Sequence, residues 1–126
     1  VITYAERVCF REAHMQMLTH TAAYVARVSK SWGNELRCHE LARAVREVID
    51  DSSIVVVDGR CGPIEHSWLF VEAAVILDVY VPGRLPAVQL VDLIVGTAYR
   101  PGLERADIRQ SIVDRLVVEM HGSGTS

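Results

Sequence analysis

The sequence has no run of basic residues. Its 13 Lys and Arg are scattered among 16 Asp and Glu, for a net charge of −3. That excludes the electropositive patch on which nucleic-acid binders rely. No apolar stretch approaches the ~20 residues needed to cross a bilayer. The first residues, with Glu6, Arg7, Arg11 and Glu12, form no apolar signal segment. Cysteine is scarce. Cys9, Cys38 and Cys61 are odd in number and widely spaced, which makes a poor disulfide framework and points to a reducing cytoplasm. Gly33, Gly59 and Gly62 do not form a phosphate-binding loop. Metal-ligand spacing is also missing. His39-Glu40 has no second His at the zincin distance, and neither Cys38 with His39 nor Cys61 with His66 has chelating spacing. The expectation is therefore no metal, no cofactor, no nucleic-acid partner and no membrane.

Half of the 126 residues are hydrophobic, so disorder is not expected. A chain of this size buries roughly two-thirds of its unfolded surface without staples. One domain is expected over residues 1–121, with a loose tail over 122–126.

The first half reads as helix. Phe10, Ala13, Met17, Tyr24 and Val28 recur at helical spacing, with Leu18, Ala22 and Val25 beside them. Thr19 to Thr21 is a weak stretch, because β-branched residues lose χ1 freedom in a helix, so one long helix or two shorter ones both fit. Gly33 and Asn34 end it, and Asn34 is a candidate cap for the next helix. There Cys38, Leu41, Ala42, Val45, Val48 and Ile49 form one apolar stripe. Arg37, His39, Glu40, Arg43, Arg46 and Glu47 face elsewhere, and Asp50 to Ser52 stop the helix.

The period then changes to two. Ile54 to Val57 is a β-branched run, followed by turn signals at Asp58-Gly59 and Gly62-Pro63. His66 to Phe70 and Val75 to Tyr80 read as strands joined by a short antiparallel hairpin. Val88 to Val95 is ambiguous between strand and helix. A last helix is expected from about Asp107, with Ile108, Ile112, Leu116, Val117 and Met120 on its face and Gly122 at its stop. The expected fold class is α+β: N-terminal helices packed on a small antiparallel sheet, with a C-terminal helix.

A thiol nucleophile needs its sulfur as thiolate, which a helix N-terminus and a neighbouring imidazolium both favour. The imidazole in turn needs a third group to fix its tautomer. Cys38 lies about one turn into its expected helix, His66 opens a strand, and Asp78 sits in the next strand. A three-residue loop at Val71 to Ala73 would pair His66 directly with Asp78, and one at Glu72 to Ala74 would set them on a diagonal. A two- or four-residue loop would put them on opposite faces.

Cys38 at a helix start, His66-Ser67-Trp68 in a strand and Leu77-Asp78 one hairpin later resemble the transglutaminase-like branch of the papain-like superfamily, over about residues 38–81. The resemblance implies Cys38 as nucleophile, His66 as general base and Asp78 as orienter. It implies acyl transfer, foremost hydrolysis of an amide bond in a protein, peptide or other amide substrate. The chain departs from the family pattern at Arg37, where a small residue is usual. The oxyanion donors would be backbone N–H groups at the helix start, with Asn34 as a side-chain candidate. Cys61, in a glycine-rich turn beside Arg60, is the rival nucleophile. The competing class is a non-enzymatic binding or regulatory module that presents the 81–86 loop and Tyr99-Arg100-Pro101. Buried Cys38, strand-borne His66 and turn-bonded Asp78 would then be ordinary structural residues.

Overall fold

The computed structural model describes residues 15–71, 75–80, 89–92 and 98–122. Expectations for Phe10, Ala13, the 81–86 loop and residues 123–126 lie outside them. Helix α1 (Met15–Trp32) runs unbroken through Thr19 to Thr21. Its buried stripe is Thr21, Val25, Val28 and Trp32, at steps of four, three and four, whereas Ala22 faces solvent. Gly33 takes a left-handed φ of 58° and opens a single 3-10 turn, Gly33–Glu35. Leu36 and Arg37 are then extended, and helix α2 (Cys38–Ile49) starts at Cys38 itself. Cys38 is thus the first helical residue, not one turn in. The α2 cap, Arg37, makes no side-chain capping bond, and Asn34 lies outside the helix it was expected to cap. Leu41, Ala42, Ala44 and Val45 of α2 are fully buried. His39 and Glu40 are buried as well, against the expectation that they face elsewhere. Asp50 ends α2 in the left-handed region, its N–H bonded to the Arg46 carbonyl.

Among the described residues, five strands follow: β1 (Ile54–Cys61), β2 (Ile64–Val71), β3 (Val75–Asp78), β4 (Gln89–Asp92) and β5 (Tyr99–Pro101). They form one antiparallel sheet in the order β4-β3-β2-β1-β5. The 88–95 ambiguity thus resolves to strand over Gln89–Asp92. Asp58-Gly59 is not a turn, since β1 continues through it to Cys61. The turn is Gly62-Pro63, with Cys61 opposite Ile64 and Gly62 at φ 61°. That fits the two-residue hairpin loop that takes Gly first. Gly59 serves another purpose. A Cβ there would lie 2.1 Å from the Arg100 carbonyl oxygen, so only glycine lets β5 close on β1.

Helix α3 (Gln110–Gly122) begins three residues after Asp107, because Asp107 is engaged by Arg105 and Arg37 instead of a helix turn. Its Val113, Leu116 and Met120 pack with Leu41 and Val45 and, from the sheet's helix-side face, Ile54, Leu69, Val71, Leu77 and Val79. The α1–α3 contact is pinned by the Trp32 indole N–H, which donates to Glu119 at 2.8 Å, and by Arg115 over the Trp32 ring. The fold is α+β as expected, with helices before and after the sheet. Among the described residues, no helix is long and apolar enough to cross a membrane.

Candidate active site

The β2–β3 register decides whether His66 meets Asp78. Leu69 faces Leu77, Phe70 faces Ile76 and Val71 faces Val75, so three residues separate the innermost pair. Continued, this register sets Trp68 opposite Asp78 and places His66 on the diagonal of the same face. The diagonal closes: His66 Nε2 lies 2.9 and 3.0 Å from the two Asp78 oxygens, with both residues buried. Asp78 also accepts from the Tyr99 hydroxyl and from the Tyr80 N–H at 3.1 Å. Three donors converge on one buried carboxylate and fix its orientation. The rings of Trp68 and Tyr99 each stand 6.0 Å from the His66 ring, giving it an aromatic wall.

With Nε2 held by Asp78, Nδ1 is the nitrogen left for the thiol. Cys38 and His66 perturb each other accordingly. Burial alone would raise the Cys38 thiol, but hydrogen bonds from His39 and His66, and their charge, lower it from 9.0 to about 6. Burial alone would lower the His66 imidazole, but Asp78 and Cys38 raise it from 6.5 to about 9. The opposite shifts favour the charged form of both groups. As the first residue of α2, Cys38 also sits at the positive end of the helix dipole, where first-turn N–H groups have no intrahelical acceptor. The side chain is 8 % exposed. The structure thus brings Cys38, His66 and Asp78 together; the Asn34 side chain lies outside the described residues.

A second set of polar groups reaches the same sulfur, and the sequence reading missed it. His39 lies 3.6 Å (Nδ1) and 3.9 Å (Nε2) from the Cys38 sulfur. Its Nδ1 is 2.7 Å from the Ser67 hydroxyl, which donates to Asp58 at 2.5 Å. Asp58 is held by two bonds from Arg43 and by the Arg105 N–H. Burial opposes its ionisation, but these donors keep its carboxyl below the ordinary range. Strand alternation from Ile54 through Val56 to Asp58 would have found this face, had Asp58-Gly59 not carried the signature of a turn.

The start of α2 is anchored by Glu40. Its buried carboxylate accepts from the Arg37 and Arg109 guanidinium groups and from the Arg109 N–H at the entry to α3. Burial would raise this carboxyl, but the two arginines hold it down at about 2 from 4.5. Arg37, at the position where the transglutaminase-like pattern has a small residue, thus secures the start of α2. Cys61 is no rival. Burial raises its thiol, the Asp78 charge adds to the rise, and a hydrogen bond with Tyr99 only partly offsets them. Among the described residues, no cluster of three His, Cys, Asp or Glu side chains could hold a metal.

Set against known proteins, the chain matches no family model, no curated protein and no solved structure. The chemistry of the site is therefore read from its own geometry.

Proposed function

We propose that this protein is a thiol-dependent acyl-transfer enzyme, foremost an amide hydrolase, related to the transglutaminase-like branch of the papain-like superfamily. The observation that carries this reading is the buried bond of His66 Nε2 to Asp78, beside a cysteine that is the first residue of a helix.

The reaction follows from those positions. The Cys38 thiolate attacks the substrate carbonyl carbon, forming a C–S bond while the carbonyl π pair moves to oxygen. First-turn N–H groups of α2 are the natural donors to that oxyanion. As the C–N bond breaks, the His66 imidazolium passes its proton to the leaving amine, and a thioester remains. His66 then takes a proton from water. The water oxygen adds to the carbonyl, the C–S bond breaks, and the thiolate returns with the carboxylic acid released. Asp78 holds the imidazole in one tautomer through both steps and balances its charge.

A second reading, a binding or regulatory module on the same scaffold, is favoured by the 8 % exposure of Cys38. The two separate with an activated acyl donor. Incubated with p-nitrophenyl acetate, the enzyme gives a burst of p-nitrophenolate and an acetyl group on Cys38 detectable by mass spectrometry. Both vanish in Cys38→Ala and in His66→Ala. Absence of acylation in the folded wild-type protein favours the module and overturns the enzyme.

A further inference from the structure

We propose that His39, held by Ser67 and Asp58, is a second catalytic imidazole that stabilises the Cys38 thiolate while His66 moves protons. The inference rests on the acyl-transfer reading of the site.

Hydrogen-bond direction fixes the geometry. Asp58, bound by Arg43 and the Arg105 N–H, is an acceptor, so the Ser67 hydroxyl donates to it and must accept from His39. The Nδ1 proton of His39 is therefore committed to Ser67 at 2.7 Å. The sulfur lies at nearly equal distances, 3.6 and 3.9 Å, from the two ring nitrogens. The sulfur thus contacts both ring nitrogens, while the Nδ1 proton is already given to Ser67. In its protonated form the ring holds a delocalised positive charge within 4 Å of the thiolate. The Asp58 carboxylate balances that charge through Ser67. His39 is 7 % exposed and Ser67 is fully buried, so water screens this contact little.

The division of labour has a chemical reason. When His66 gives its proton to the leaving amine, it loses the charge that faced the sulfur. A second imidazole that takes no part in that transfer stays within 4 Å of the departing and returning sulfur throughout. The titratable and charged groups around the sulfur on this account are His39 from α2; His66 and Ser67 from β2, backed by Asp78 and Tyr99; and Asp58 from β1, backed by Arg43. Glu40, also on α2, is occupied by Arg37 and Arg109.

The test follows the pH dependence of Cys38 alkylation by iodoacetamide in the folded full chain, mapped by mass spectrometry, in wild type, His39→Gln, Ser67→Ala, His66→Gln and the His39→Gln/His66→Gln double variant. The expected result is a midpoint about one pH unit higher in His39→Gln, with a smaller rise in Ser67→Ala. Cys38 in His66→Gln should stay below the free-thiol value, and the double variant should return to about 8.5. An unchanged midpoint in His39→Gln, with His66→Gln alone restoring about 8.5, overturns the role of His39 and leaves the acyl-transfer reading standing. A wild-type midpoint already at the free-thiol value overturns both. If His39→Gln does not fold, Ser67→Ala decides alone, and an unchanged midpoint there overturns the proposal.

Discussion

His66 and Asp78 lie two residues out of register across one hairpin, and the imidazole Nε2 meets both carboxylate oxygens at 2.9 and 3.0 Å. The pair depends on the three residues between Val71 and Val75, because one residue more or fewer would turn the two side chains to opposite faces. Tyr99, from a strand at the far edge of the sheet, completes the carboxylate's shell.

Asp78→Asn keeps the shape of that shell but removes its charge and one acceptor. The amide cannot hold the imidazole in the same tautomer, so acyl transfer should fall by ~10²–10⁴-fold and the alkylation midpoint of Cys38 should rise. Circular dichroism and the steady-state rate with an activated ester check this together. A folded Asp78→Asn protein at wild-type rate contradicts the role given to Asp78.

The pH profile of acyl transfer should be bell-shaped, with an acid limb near about 6 from Cys38 and an alkaline limb near about 9 from His66. The same shifts set the linkage to stability. The lowered Cys38 thiol stabilises the fold above its ordinary 9.0, and that contribution is lost as pH falls through about 6. The raised His66 stabilises the fold below its ordinary 6.5, and that contribution is lost as pH rises through about 9. Between about 6.5 and 9 the folded ion pair and the unfolded neutral pair hold the same number of protons. The contribution of these two groups to urea stability should therefore be flat across that window. A difference in urea midpoint between wild type and the Cys38→Ala/His66→Gln variant that slopes steeply from pH 7 to 8.5 contradicts the pairing.

Glu40 ties the start of α2 to the entry of α3, and its removal strands two arginines. Breaking a buried ion pair costs ~3–5 kcal/mol, but Arg37 and Arg109 are 34 % and 44 % exposed, so water recovers part of the loss. Glu40→Gln should lose about 2–3 kcal/mol at neutral pH, read from urea denaturation with an unchanged m-value. The carboxylate's contribution is present above 4.5 and is lost as pH falls through about 2. The gap between the two proteins should therefore narrow in acid. A gap that widens in acid refutes the assignment.

Gly59→Ala drives a methyl group into the Arg100 carbonyl and must displace β5. Overpacking of this kind costs ~1–3 kcal/mol, and because β5 carries Tyr99, the Asp78 shell should loosen with it. The expected result is a lower urea midpoint together with slower acyl transfer. An alanine variant as stable and active as wild type removes β5 from the account.

Much of this was legible in the sequence because it was periodic or local. The apolar stripe of α2 from Leu41 to Ile49 and the hairpin of β2 and β3 follow from spacing, whereas spacing left open whether His66 met Asp78 directly, on the diagonal or not at all, and the strand register chose the diagonal. What spacing missed came from distant chain. His39 and Glu40 look like surface residues on a helical wheel, yet Ser67 and Arg109 bury them. Asp58-Gly59 has the dipeptide of a turn. Its two residues are instead claimed by Arg43, 15 positions earlier, and by the carbonyl of Arg100 in β5. The first turn of α2 moved to Cys38 because Leu36 and Arg37 are extended, a backbone choice that no apolar period records.

The central claim is that Cys38 is a thiolate paired with His66 in the folded protein. The direct measurement is iodoacetamide alkylation of the native chain across pH 5 to 9, with modified sites mapped by mass spectrometry. The account predicts that Cys38 is modified with a midpoint near about 6, while Cys61 reacts only above its ordinary value of 9.0. Cys38 that stays unmodified until the protein is unfolded, or that titrates like a free thiol, contradicts it.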